Sequence, residues 1–157
     1  MTGLPMKTMI RRLLAATLLP AALLLAPAVF AASPSETVDA FYKALAQGDA
    51  KGAAKYLGKE VVVFEQGYIN DSREDYVKAQ IGEAAKFAKA TRREVIRREA
   101  WQEGNIAWVL SSTLTTGTFN GQKLALDGAE TMVLRKLGDG WMITHIHWSA
   151  HPAAEKP

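Results

Sequence analysis

The spacing of apolar residues changes along the chain and divides it into three stretches. Residues 13–30 are apolar almost throughout. From Ser33 to about Ala90, apolar positions recur every three or four residues, the period of helical faces. From Thr91 to Ser149 the pattern shifts toward alternation, with β-branched and aromatic residues, as strands require.

Ser33-Pro34-Ser35-Glu36 reads as a helix start. Ser33 can cap, Pro34 suits the first helical position, and Glu36 stands where a capping box needs it. Val38, Phe41, Tyr42 and Leu45 then share one face, and Gly48 stops the helix. Asp49 caps a second, short helix over 50–57. Val61-Val62-Val63-Phe64-Glu65 predicts a strand, and 67–70 a loop. Ser72 opens a third helix running to about Ala90, with Tyr76, Val77, Gln80, Ile81, Ala84 and Phe87 along one side.

Arg92 to Trp101 predicts a strand whose solvated face carries Arg92, Arg93, Arg97 and Arg98. Glu103-Gly104-Asn105 is a turn, Ile106–Thr116 a strand, and Phe119-Asn120-Gly121 a hairpin. Residues 122–126 and 129–137 form one long strand with an expected bulge at Asp127-Gly128. Gly138-Asp139-Gly140 turns into the last strand, Trp141–Ser149, and 151–157 is a polar tail expected to fray. Three helices around one early strand, then a four-strand meander, predict one α+β domain over 33–150. Its helices lie on one face of a curved sheet.

Composition changes the picture at the N-terminus. Lys7, Arg11 and Arg12 precede the apolar run, and Val29-Phe30-Ala31 ends it with a small-residue cleavage pattern. Met1 to Ala31 therefore reads as a secretory signal peptide, which implies a periplasmic or secreted protein with no membrane attachment after cleavage. The formal charge of the chain is +3, and those three basic residues account for all of it. The remaining domain is near neutral, so it lacks the electrostatic footprint of a nucleic-acid binder. The chain has no cysteine, which excludes disulfides, thiolate catalysis and a lipid-anchoring cysteine.

The candidate chemistry sits in the strands. Glu65 and Glu130 are acids within apolar strands, where a carboxylate is either paired or functional. One reading is structural, with each accepting hydrogen bonds from backbone, an arginine or an indole. The other is a carboxyl of raised pKa that moves a proton. His145-x-His147 is spaced to ligate a metal with Glu130 or His151, but nothing fixes a third ligand, so no metal and no cofactor are expected. Proton transfer by His147 and a place at a subunit interface are the remaining readings of the pair.

Phe64-Glu65-Gln66-Gly67, Ala107-Trp108-Val109, Glu130-Thr131-Met132-Val133-Leu134 and Gly140-Trp141-Met142-Ile143-Thr144-His145-Ile146-His147-Trp148-Ser149 together resemble the nuclear transport factor 2-like superfamily. The similar branch contains small polyketide cyclases and ketosteroid isomerase relatives, and the C-terminal part is similar to the association domain of calcium/calmodulin-dependent kinase II. The resemblance spans about Ser35 to Ser149. It implies a bent sheet wrapped around the long helix as a cone, open at one end and usually dimeric through its outer face. By the spacing shared with the kinase domain, pocket positions fall on Leu110, Met132 and Trp148, which are basic there and apolar or aromatic here. On that carry-over the cone is lined by Trp108, Leu110, Glu130, Met132, Ile146 and Trp148, with Glu65 and Tyr76. His145 and His147 then face outward.

Three functions remain open at the level of sequence. The first is a homodimeric domain binding a small, largely apolar ligand in its cone. The second is an isomerase, cyclase or dehydratase using Glu65, Glu130 and His147 as proton carriers. The third is a dimeric interaction module without a ligand.

Overall fold

A computed structural model describes residues 32–154. The expected signal peptide lies outside the described residues, as does the end of the tail. Helix α1 (Pro34–Ala46) starts as its sequence dictates: Ser33 and Glu36 form a reciprocal capping box. Asp49 caps the short α2 (Ala50–Ala54), its carboxylate accepting from Gly52 N. Strand β1 (Leu57–Glu65) turns through Gln66-Gly67 into β2 (Tyr68–Asn70), so a short edge strand replaces the expected loop.

The predicted third helix is two helices, α3 (Arg73–Ala79) and α4 (Ile81–Ala90), broken at Gln80. Tyr76 and Ile81 are five residues apart, too far round an unbroken helix to share one face, yet both are buried. The break turns each toward the core.

Strands β3 (Thr91–Glu103), β4 (Ile106–Phe119), β5 (Gln122–Leu137) and β6 (Gly140–Pro152) form the expected meander. The sheet order is β2-β1-β6-β5-β4-β3, antiparallel except for the parallel β1–β6 pair. The result is the expected α+β architecture, a curled mixed sheet against helices. Val38, Phe41 and Leu45 of α1 share the core with Val61 and Val63 of β1, Val109 of β4, Met132 and Leu134 of β5, and Ile143 and Ile146 of β6.

The bulges stand elsewhere than expected. Asp127 and Gly128 pair in unbroken register with Leu114 and Thr113. Gly128 answers a different need, because a Cβ there would come within 2.5 Å of Thr113 Oγ1. One irregularity lies between Val95 and Arg97, another opposite Thr144, between Val133 and Leu134. The second reverses the alternation of the last strand. Trp141 and Ile143 point inward before it, Ile146 and Trp148 after it, and His145 and His147 are left on the outer face. The last strand runs on into the first two residues of the expected tail, since His151 and Pro152 pair with Asp127 and Leu126.

Among the described residues, no helix is long and apolar enough to cross a membrane.

Candidate functional site

One row of residues crosses five strands and sets the floor of the site. Register places Glu65 beside Trp148, Trp148 beside Glu130, Glu130 beside Ser111, and Ser111 beside Arg98. Below this row lies the closed apolar core. Above it, between the sheet and helices α1 and α4, opens a cavity of about 770 Å³. Its apolar walls include Leu45, Phe87, Phe119 and Leu126, and its polar lining includes Asp39, Glu65, Arg93 and Glu130.

Glu130 is the centre of the polar cluster. Its side chain is only 3% exposed. Arg93 Nη2 donates to both of its oxygens, at 3.2 and 3.3 Å. Trp148 Nε1 donates to its Oε2 at 2.7 Å and also to the Tyr42 hydroxyl at 2.6 Å. The Arg93 guanidinium lies flat over the Tyr42 ring, 3.7 Å from its centroid. Trp148 is held from below by Phe41, stacked at 6.4 Å, and by Tyr76. Beside this cluster Arg98 pairs with Asp39 of α1 at 2.6 Å and donates to Ser111.

Burial pushes the Glu130 carboxyl up to about 7, against the Trp148 hydrogen bond that pulls it down; the Asp39 carboxylate adds to the rise. The same burial, aided by Arg98, lowers Arg93 to about 10, while Asp39 opposes the change. Glu65 lines the same cavity with no side-chain hydrogen bond among the described residues, and burial raises its pKa too. Tyr76 is fully buried, and burial together with the Glu65 charge pushes its phenol upward.

The Tyr76 hydroxyl has no hydrogen-bond partner among the described residues. A buried orphan hydroxyl costs about 1–3 kcal/mol. Tyr76→Phe is therefore expected to stabilise the protein by about 1 kcal/mol in urea denaturation. A loss of stability would show that the hydroxyl has a partner.

The residues singled out from sequence separate into three groups. Glu65, Glu130 and Trp148 meet in the cavity. Tyr76, Met132 and Ile146 lie beneath it in the closed core, each fully buried, and do not line it. Trp108 and Leu110 correct the expectation that they line the cone, and His147 the reading that made it a proton carrier, while the outward position implied for the two histidines is the one observed. On β4 the inward residues are Ala107, Val109, Ser111 and Thr113, which leaves Trp108 and Leu110 on the outer face. His147 is exposed on that face, against Phe64, and shares a shallow cleft with Leu110, Thr131 and Ser149. His145 donates from Nδ1 to the Val62 carbonyl at 3.0 Å. Among the described residues, no group of three or more histidines or acids could hold a metal ion.

Arg93 and Arg98 overturn the outer-surface reading of the arginine strand. Arg92 and Arg97 do face solvent, but the other two turn inward to Glu130 and Asp39. Sequence reasoning missed them, together with Tyr42 and Asp39. Alternation offered a signal for Arg93 against its neighbour Arg92, but the bulge after Val95 scrambles the parity that would have reached Arg98.

The comparisons agree with this architecture. Among solved structures, a proposed ketosteroid isomerase from Shewanella frigidimarina is similar at 28% identity and TM-score 0.69, over 72% of this chain and 91% of that one. A proposed calcium/calmodulin-dependent protein kinase II association domain from Xanthomonas campestris is similar at 21% identity and TM-score 0.66, over 76% and 86%. A proposed dehydratase of the nuclear transport factor 2-like family from Streptomyces avermitilis is similar at 16% identity and TM-score 0.65, over 77% and 94%. No curated protein matches the sequence. The profile of the SnoaL-like domain matches residues 35–154, nearly all of the described chain. The chain belongs to the SnoaL-like domain family, with the nuclear transport factor 2-like fold.

Proposed function

We propose that this domain binds one small, largely apolar molecule in the cavity between α1, α4 and the sheet. The observation that carries the reading is the cavity itself, at about 770 Å³, with mostly apolar walls and a few polar groups at its floor. That size and lining are those of small-molecule sites, where apolar area supplies affinity and a few polar groups fix orientation. Trp148 reports on occupancy, because it is the tryptophan that lines the cavity. Sterols, aromatic ketones and medium-chain fatty acids are the panel to titrate. A binder is expected to quench tryptophan emission in the native protein and not in Trp148→Phe. Quenching that survives the substitution would place binding elsewhere.

A second reading, proton transfer on a carbonyl compound, rests on Glu65. It is a carboxyl with no side-chain partner among the described residues, raised by burial, facing the cavity. Glu130 is less free to serve as a base because Arg93 and Trp148 both hold it. A ketone bound in the cavity is then expected to exchange its α-protons in heavy water. Glu65→Gln slows that exchange by about 10²-fold or more, the usual contribution of a positioned general base. Exchange at an unchanged rate in Glu65→Gln removes the enzyme reading and leaves binding intact.

Export and pairing are proposed alongside. The basic and then apolar segment at 1–31 supports export, and the outward Phe64, Ile96 and Trp101 support a dimer through the sheet's outer face. Recovered periplasmic protein beginning after Ala31, with twice the chain mass by light scattering, is the expected result. Retention in the cytoplasm or a monomer mass would contradict the respective proposal.

A further inference from the structure

The floor of the cavity pairs its charges unequally. Arg98 gives Nη1 to Asp39 and Nε to Ser111 beside the site, and its Nη2 is shut away from the cavity with no partner among the described residues. Arg93 spends only one nitrogen, Nη2, on both oxygens of Glu130. Among the described residues, nothing accepts from Arg93 Nε or Nη1. The side chain lines the cavity and keeps 20% of its surface exposed, so those donors are within reach of a ligand. A wholly apolar occupant would strip water from them and offer nothing in return, which is costly for a charged group. A cationic head would be repelled by the same guanidinium. An anionic head supplies the acceptors that are missing.

We propose that the ligand is a monoanion, a carboxylate on an apolar body, whose head docks on the free nitrogens of Arg93 while Glu130 takes up one proton from solvent. The inference rests on the binding reading above and names its ligand class. A second carboxylate beside Arg93 would leave two negative charges against one positive charge at a buried site. Protonating Glu130 restores the balance, and its pKa near neutrality makes this accessible.

Among the other groups around Glu130, Glu65 alone is a second carboxyl of raised pKa in the cavity, and Glu130→Gln separates the two. From α1 come Asp39, already paired with Arg98, and the Tyr42 hydroxyl, which accepts from Trp148. From β3 come Arg93 and Arg98, from β4 Ser111, and from β6 Trp148, none of them a base. Glu65 of β1 stands on the far side of Trp148 in the same row. Lys43 of α1, Glu83 of α4 and Arg92 of β3 line the cavity higher up.

The test uses decanoate, 1-decanol and decylamine as matched probes in isothermal titration calorimetry of the whole domain at pH 8. Two buffers of different ionisation enthalpy report proton uptake. Decanoate is expected to bind at least about tenfold tighter than decanol, with close to one proton taken up. In Glu130→Gln, decanoate still binds and proton uptake disappears. Arg93→Met/Glu130→Gln removes both charges together, so it keeps a balanced core; it binds decanoate no better than decanol. Equal affinity for decanol and decanoate, or decanoate binding with no proton uptake, overturns the anion assignment and leaves the binding reading standing. Failure of all three probes to bind overturns the anion assignment, and failure of the sterols and aromatic ketones as well overturns the binding reading.

Discussion

Arg93→Met is expected to destabilise the protein by about 3 kcal/mol at pH 8 and by little at pH 5. At pH 8 the substitution leaves Glu130 ionised, 3% exposed and without its cation. Breaking a buried pair by removing one partner typically costs about 3–5 kcal/mol. Arg93 is not fully buried, and Trp148 still donates to the carboxylate, so the lower end of that range applies. At pH 5 Glu130 is protonated even in the native protein, since its folded pKa of about 7 exceeds its ordinary value of 4.5. The sign follows from linkage. Between 4.5 and 7 the folded state binds more protons than the unfolded state. The contribution of Glu130 is therefore fully present below about 4.5 and lost as pH rises through about 7. Urea denaturation at the two pH values checks this, with Glu130→Gln as the companion whose profile flattens over that interval. A cost for Arg93→Met that is equal at both pH values would show that Glu130 does not titrate there.

Phe41→Ala carries the other large effect, about 3–5 kcal/mol of stability, the usual cost of truncating a fully buried phenylalanine. Domains of this size have only about 5–15 kcal/mol in total, so the denaturation midpoint falls steeply. The substitution also reaches the site. Phe41 stacks under Trp148, and Trp148 holds both Glu130 and Tyr42 through one indole N–H. Removing that support is expected to abolish quenching by any ligand of the cavity, even under conditions where the variant remains folded. A loss of under about 1 kcal/mol would mean that the core collapses around the gap, and Trp148 then has another support.

The order of elements was legible because local rules and tertiary structure agree. The Ser33 capping box, the Val61–Glu65 run and the turns before Ile106 and Trp141 specify their structures through short-range chemistry alone. The site was legible only where alternation ran unbroken. Glu65 and Glu130 stood out as acids in apolar strands, and Trp148 joined them through the family resemblance. Trp108 and Leu110 were placed inside by spacing carried over from another domain, whereas the burial alternation of β4 itself turns them out. Along the last strand, unbroken alternation would set Ile143 on the same face as the histidines. The irregularity opposite Thr144 reverses the faces, and no residue there announces it. Arg93 and Arg98 were hidden for a related reason. Four arginines in one strand read as a solvated face, and only the long-range partners Glu130 and Asp39, 37 and 59 residues away, draw two of them inward.

Uptake of a small molecule into the cavity over Glu65, Trp148 and Glu130 is what the proposed function stands on. Native mass spectrometry of the domain against the ligand panel, alongside an Ala88→Trp variant that fills the cavity from α4, tests it most directly. A one-to-one adduct is expected on the native protein and none on the filled variant. An equal adduct on both, or none on either, would contradict it.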